Sequence, residues 1–301
     1  MGASPSIDLL KQKKAAYIPM ERKKVFDDRM GEIMIARDRD SDRLVWMKEH
    51  DVTFEEKLAL AKYYEHEKRD DNYFKIFTTF DFMAVNTQSQ LAYCSHPTWT
   101  ILVVGLHVDK TLEEEVQQRA VLDISSGGYF TENEIWLIVQ AIQDAEAHYT
   151  RNNRLHGDIR LRNILVLEDG SIKFVDSFLC HWKSWAMHRA ILEGTRVPVD
   201  SDVLQKIKSD EASDFPSSQN EIWSIGIVIL CMATLRTEKE FYDWTKKRIR
   251  TEVIKQALLE IPSRYSSKIQ DLLVACLHEI PEQRLSMFKF LTLSGNTASF
   301  A

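Results

Sequence analysis

Leu155-His156-Gly157-Asp158-Ile159-Arg160-Leu161-Arg162-Asn163-Ile164-Leu165-Val166, answered by Ile172-Lys173-Phe174-Val175-Asp176, is the stretch on which the reading of this chain turns. Asp158, Asn163 and Asp176 stand between short aliphatic and β-branched runs, the pattern of buried strands that hold a polar loop in place. An acid in such a loop can take a proton from a hydroxyl, and a second acid with an amide offers hard oxygen ligands to a divalent cation. That combination points to the active-site loop of a phosphotransferase.

The rest of the composition sets the bounds. A chain of 301 residues, 44% hydrophobic and 28% charged, has room for one two-lobed domain with an ordinary globular core. Its net charge of -6 leaves no electrostatic footprint for nucleic acid, so no nucleic-acid partner is expected. Cys94, Cys180, Cys231 and Cys276 are scattered, with no C-x-x-C pair, and suggest neither a zinc site nor a disulfide framework. This fits a cytoplasmic setting. The longest apolar run, Ile222 to Leu235, is too short to span a bilayer and predicts a buried core helix. No secretory leader is read at the amino terminus.

The spacing of Asp158 and Asn163 resembles the protein-kinase catalytic loop H-R-D-x-x-x-x-N, and Asp176 stands where that family has the aspartate of D-F-G. Two departures are visible: the arginine has become Gly157, and D-F-G has become Asp176-Ser177-Phe178. The resemblance continues downstream. Gly194-Thr195-Arg196-Val197-Pro198-Val199-Asp200-Ser201-Asp202-Val203-Leu204 is similar to G-T-x-x-Y-x-A-P-E-V-L. Glu221 to Leu230 is similar to the buried D-V-W-S-L-G-V-I-L helix, and Pro281-Glu282-Gln283-Arg284 to P-E-x-R. The similarity covers about Lys23 to Leu291 and implies an α+β, two-lobed kinase-like fold with a β-rich N-lobe over about 23–104 and a mainly helical C-lobe over about 105–301. Residues 1–22 are read as an N-terminal extension.

What the resemblance implies for the site follows residue by residue. Asp158 is the catalytic carboxylate and Arg160 the cation on the transferring phosphate. Asn163 and Asp176 are magnesium ligands, and Lys48, closing Val45-Trp46-Met47-Lys48, contacts the ATP phosphates. Gly31 is the glycine that remains of the nucleotide-binding hairpin, and the first two family glycines fall at Phe26 and Asp28. A carboxylate at Asp28, ~5 Å from a phosphate at an effective dielectric near 20, repels it by roughly 3 kcal/mol, so nucleotide binding is expected to be weak. In the helix predicted over Thr53 to Arg69 the family glutamate falls near Ala61, leaving Glu56 or Glu65 as substitutes. Asp202, in the place of the family glutamate, is predicted to pair with Arg284. Gly157 in place of arginine removes the need for a phosphorylated activation segment.

Local patterns complete the chain. Met30–Ala36 and Arg43–Lys48 read as a hairpin around a polar turn, Trp99–Leu106 as a buried strand, and Thr131-Glu132-Asn133-Glu134 as a capping box opening a helix to Asn152. Met1-Gly2-Ala3-Ser4-Pro5-Ser6 fits the myristoylation pattern at Gly2, and the lysines that follow it would reinforce peripheral membrane contact. Three functions stay open. They are an ATP- and magnesium-dependent protein kinase of weakened activity, acting on Ser/Thr by Gly194-Thr195 although Leu161-Arg162-Asn163 has a tyrosine-kinase flavour; a pseudokinase scaffold for a regulated partner; and a small-molecule phosphotransferase.

Overall fold

The computed structural model describes residues 12–23, 33–52, 79–86, 99–106, 110–122, 128–167, 169–175 and 196–293, with positions 58, 67, 77, 185, 188, 189, 192 and 193 between them. Gly2, Gly31 and Asp176 lie outside them, as do Asp28, Ala61, Cys94, Cys180 and Gly194-Thr195. The chain divides into two compact units, residues 1–109 and 110–301. The fold class is α+β: an antiparallel sheet comes first and a mainly helical unit follows.

In the first unit, β1 (Tyr17–Lys23), β2 (Ile33–Asp38), β3 (Leu44–Val52), β4 (Thr79–Asn86) and β5 (Trp99–Leu106) form one sheet in the order β1-β2-β3-β5-β4. The sheet begins at Tyr17, inside the stretch read as an extension. Its hairpin closes because Asp38 accepts from the Asp40 amide at 3.0 Å and the Ser41 hydroxyl at 2.9 Å, while Asp42 takes a left-handed φ of 55°. Tyr17, Ala36, Val45, Met47, Leu102 and Val104 make the buried face. Lys48 is paired through its backbone with Ile33 on one side and Val103 on the other, so it lies on an interior strand.

The second unit opens with α1 (Leu112–Val121) and α2 (Glu132–Arg151), each started by a complete capping box, Thr111 with Glu114 and Thr131 with Glu134. A short 3-10 turn, Leu161–Asn163, leads into the hairpin β6 (Ile164–Val166) and β7 (Ile172–Phe174). Then come α3 (Ser201–Ser209), α4 (Ser218–Thr234), α5 (Glu238–Phe241), β8 (Tyr242–Asp243), β9 (Arg248–Ile249), α6 (Thr251–Glu260), α7 (Ser267–Cys276) and α8 (Met287–Thr292). Every residue of α4 from Asn220 to Thr234 is buried, because α2, α5, α6, α7 and α8 all pack on it. An apolar run that would be an anomaly on a surface helix is thereby explained. Gly226 permits the closest approach: a Cβ there would stand 2.8 Å from Cys276 Cβ and from Leu277 Cδ2.

Candidate active site

The loop after α2 is set by backbone geometry before any side chain acts. Asn153 takes φ 52° and Gly157 φ 76°, and at the second of these the missing Cβ is what allows the turn. The family arginine would be strained there. The Gly157 amide turned inward by that φ donates to both oxygens of Glu221 on α4, at 3.0 Å each.

His156 is fully buried and acts as a pin rather than a base. Its Nδ1 accepts from the Asp158 amide at 3.2 Å, which leaves Nε2 as the protonated nitrogen facing the Val175 carbonyl at 3.0 Å. Burial pushes its pKa down to about 3, so the ring stays neutral. Tyr149 and Phe174 meet it edge-on, with centroids 5.3 and 6.2 Å away. The Val175 amide in turn donates to the Asn163 carbonyl at 2.9 Å. Both strands of the loop are thus tied to the residue that precedes Asp176 in sequence.

Asp158, Arg160 and Asn163 come together in this loop. Arg160 Nε stands 2.9 Å from Asp158 Oδ1, off the hydrogen-bond line, and its Nη2 donates to Oδ2 at 3.1 Å. Burial raises the Asp158 pKa against the opposing pull of Arg160. The Asn163 side-chain amide donates to the Asp158 carbonyl at 2.9 Å. That leaves Asn163 Oδ1 buried with no hydrogen-bond partner, an unsatisfied oxygen of the kind a hard cation would complete. Flanking contacts fix the rest of the turn: the Leu161 amide donates to Glu238 at 2.7 Å, and Arg162 pairs with Glu113 at 3.2 Å.

One predicted partner is corrected. Arg284 pairs with Asp200, Nη1 to Oδ2 at 2.5 Å and both side chains buried, and not with Asp202, which is exposed. The reason is helix capping. Asp200 is the N-cap of α3 and accepts from the Val203 amide at 3.0 Å, which turns its second oxygen inward; Asp202, in the first turn, projects to solvent. Arg284 also donates to the carbonyls of Gln219 and His278, at 3.1 and 2.9 Å, and lies 5.0 Å over the Trp223 ring.

Sequence reasoning missed the acids beneath the loop. Glu146 on α2 and Glu221 on α4 are both fully buried and lie against each other. Burial raises both pKa values, Glu221 to about 7, and the pair holds a proton at neutral pH. A signal was available: Glu146 stands four residues after Ile142, on the apolar stripe of the helix. The folded pair binds protons more tightly than the unfolded chain. The stability it contributes is therefore full below the ordinary glutamate value of 4.5 and is lost as pH rises through about 7, a change on the order of 3 kcal/mol for Glu221. Denaturant unfolding at about pH 5.5 and 8 should show this fall, and Glu221→Gln, which removes the titrating carboxyl itself, should flatten it. Parallel curves for the two proteins would dismiss Glu221 as the source of the fall.

Comparison with known proteins adds an independent line. A family model described as protein tyrosine and serine/threonine kinase matches residues 51–293. Serine/threonine-protein kinase 33 of Mus musculus is 27% identical over 207 residues, which cover 62% of this chain and 40% of that protein. Serine/threonine-protein kinase Aurora-2 of Arabidopsis thaliana is 25% identical over 278 residues, 87% of this chain and 84% of the relative. A probable serine/threonine-protein kinase of Dictyostelium discoideum is 26% identical over 155 residues, and the chain spans 12% of its length.

Proposed function

Because this chain belongs to the protein tyrosine and serine/threonine kinase family, we propose that it transfers the γ-phosphoryl group of ATP to serine or threonine hydroxyls of a protein, at reduced efficiency. The observation that carries the reading is the juxtaposition of Asp158 with the unpartnered buried oxygen of Asn163. In this reading the Asp158 carboxylate accepts the proton of the substrate hydroxyl, its burial having raised its basicity. Arg160 releases that carboxylate and moves its charge to the transferring phosphate. Asn163, with Asp176, would hold magnesium, which supplies charge neutralisation on the phosphate oxygens. Lys48 would contact the phosphates. The printed names of the relatives support serine and threonine as acceptors.

A second, non-catalytic reading is favoured by Arg160, whose guanidinium lies against the Asp158 carboxylate and donates to its Oδ2. The degraded hairpin at Phe26 and Asp28 points the same way. A thermal-shift titration with millimolar ATP, with and without magnesium, separates the two. The catalytic reading expects a magnesium-dependent rise, about 2.7 kcal/mol of stabilisation when ATP reaches 100 times its dissociation constant, and loss of the magnesium-dependent part in Asn163→Ala. No shift with either addition would leave a folded scaffold.

Among the described residues no helix is long and apolar enough to cross a membrane. Peripheral attachment through an acylated Gly2 is proposed from its motif alone, and mass spectrometry of the mature amino terminus tests it.

A further inference from the structure

The second unit carries a groove of about 920 Å³, near the upper end of the size range of small-ligand clefts, that takes no part in the site above. One wall is α3, with Gln205 and Lys208; the other is the β8–β9 hairpin, with Lys246, Lys247 and Arg248; between them the half-buried Ile249 faces the groove over a floor of Leu204 and Trp223, both buried. The hairpin is held firmly. Tyr242 accepts from Trp223 Nε1 at 2.8 Å and donates to the Val199 carbonyl at 2.9 Å. The groove is therefore built on the segment entering α3 and on α4, the helix whose Glu221 grips the catalytic loop.

Its charge runs against that of the chain. The lining holds four cations and one acid, Glu279, in a protein of net charge -6. Lys247 is answered by Glu193, Arg248 by Asp243 at 3.5 Å, and Glu279 by Lys255 at 3.7 Å. Lys208 and Lys246, one on each wall, have no carboxylate partner among the described residues. Two unanswered ammonium groups flanking apolar surface match a peptide that presents carboxylates around an apolar side chain. Nucleic acid would ask for a longer basic track than this groove offers.

We propose that this groove docks an acidic segment of a protein partner, seating a small apolar side chain against Ile249, over the buried floor of Leu204 and Trp223, between the ammonium groups of Lys208 and Lys246. It supplies a partner for the kinase reading and rests on that reading only for calling the partner a substrate; docking itself requires neither ATP nor transfer.

The test is fluorescence anisotropy on the full chain with a labelled peptide of about twelve residues, rich in Asp and Glu around a single Leu, against the same peptide with Asn and Gln. The acidic peptide should bind and the neutral one should not. Lys208→Glu/Lys246→Glu should weaken binding about tenfold or more, and raising salt from about 0.05 to 0.5 M should weaken it too. Equal binding of both peptides, an unchanged affinity in the double variant, or tighter binding of a single-stranded oligonucleotide at the same residues would overturn the proposal. The ATP thermal shift is read in parallel on the double variant. Peptide binding without a nucleotide response retains the groove and removes the catalytic reading; a nucleotide response without peptide binding does the reverse.

Discussion

Asp158→Asn is expected to lower phosphoryl transfer by about two to four orders of magnitude while leaving the fold intact. The substitution keeps the volume of the side chain and its contact with Arg160 but removes the group that accepts a proton. What makes the effect specific is the surroundings of that carboxylate. It is 8% exposed, its backbone amide is fixed by His156 Nδ1, and its carbonyl is fixed by Asn163, so no neighbouring acid can swing into its place. Radiolabelled ATP with a generic protein acceptor measures the loss, and circular dichroism checks the fold. Equal transfer by the two proteins would remove Asp158 from the chemistry. Arg160→Ala sharpens the experiment. If Arg160 serves the transferring phosphate, transfer falls; if it only restrains the carboxylate, transfer rises.

Arg284→Ala should destabilise the second unit by about 3–5 kcal/mol, the usual cost of stranding one member of a buried ion pair. At roughly 2–4 °C per kcal/mol this is a fall in melting temperature of roughly 10 °C. The loss is large because the guanidinium serves several partners at once: Asp200, the Gln219 and His278 carbonyls and the face of Trp223. Its removal leaves the Asp200 carboxylate buried and half answered, with only the capping bond to Val203 remaining. The contrast is with Asp202→Ala, which touches an exposed side chain and should stay within about 0.5 kcal/mol of the parent. A scanning calorimeter decides between the two acids. A large loss at Asp202 with none at Asp200 would reverse the assignment.

The elements that could be read in the sequence share a property: each is specified by neighbours in the chain. Trp99–Leu106 is a strand with the bounds its apolar run suggested. Thr131 and Glu134 form the capping box their spacing announced, and the run from Ile222 is the buried centre of α4. The H-x-D-x-x-x-x-N spacing brought Asp158, Arg160 and Asn163 together because the four residues between Asp158 and Asn163 leave a loop pinned by His156 few other ways to close. Lys48 landed on an interior strand, where its backbone is paired on both sides.

Elsewhere the outcome depended on residues far apart in the chain. Whether Asp200 or Asp202 meets Arg284 is invisible in a motif aligned residue by residue, because a helix start two residues earlier turns one acid inward and the other out. The Glu146–Glu221 pair joins helices 75 positions apart and takes its shared proton from burial, a property no local window carries. The order of residues set the elements and the spacing of the polar loop, since hydrophobic periodicity and capping act over a few residues. Tertiary packing decided which acids are charged, which are paired and which amide Glu221 holds, since desolvation and ion pairing depend on what the rest of the fold brings near.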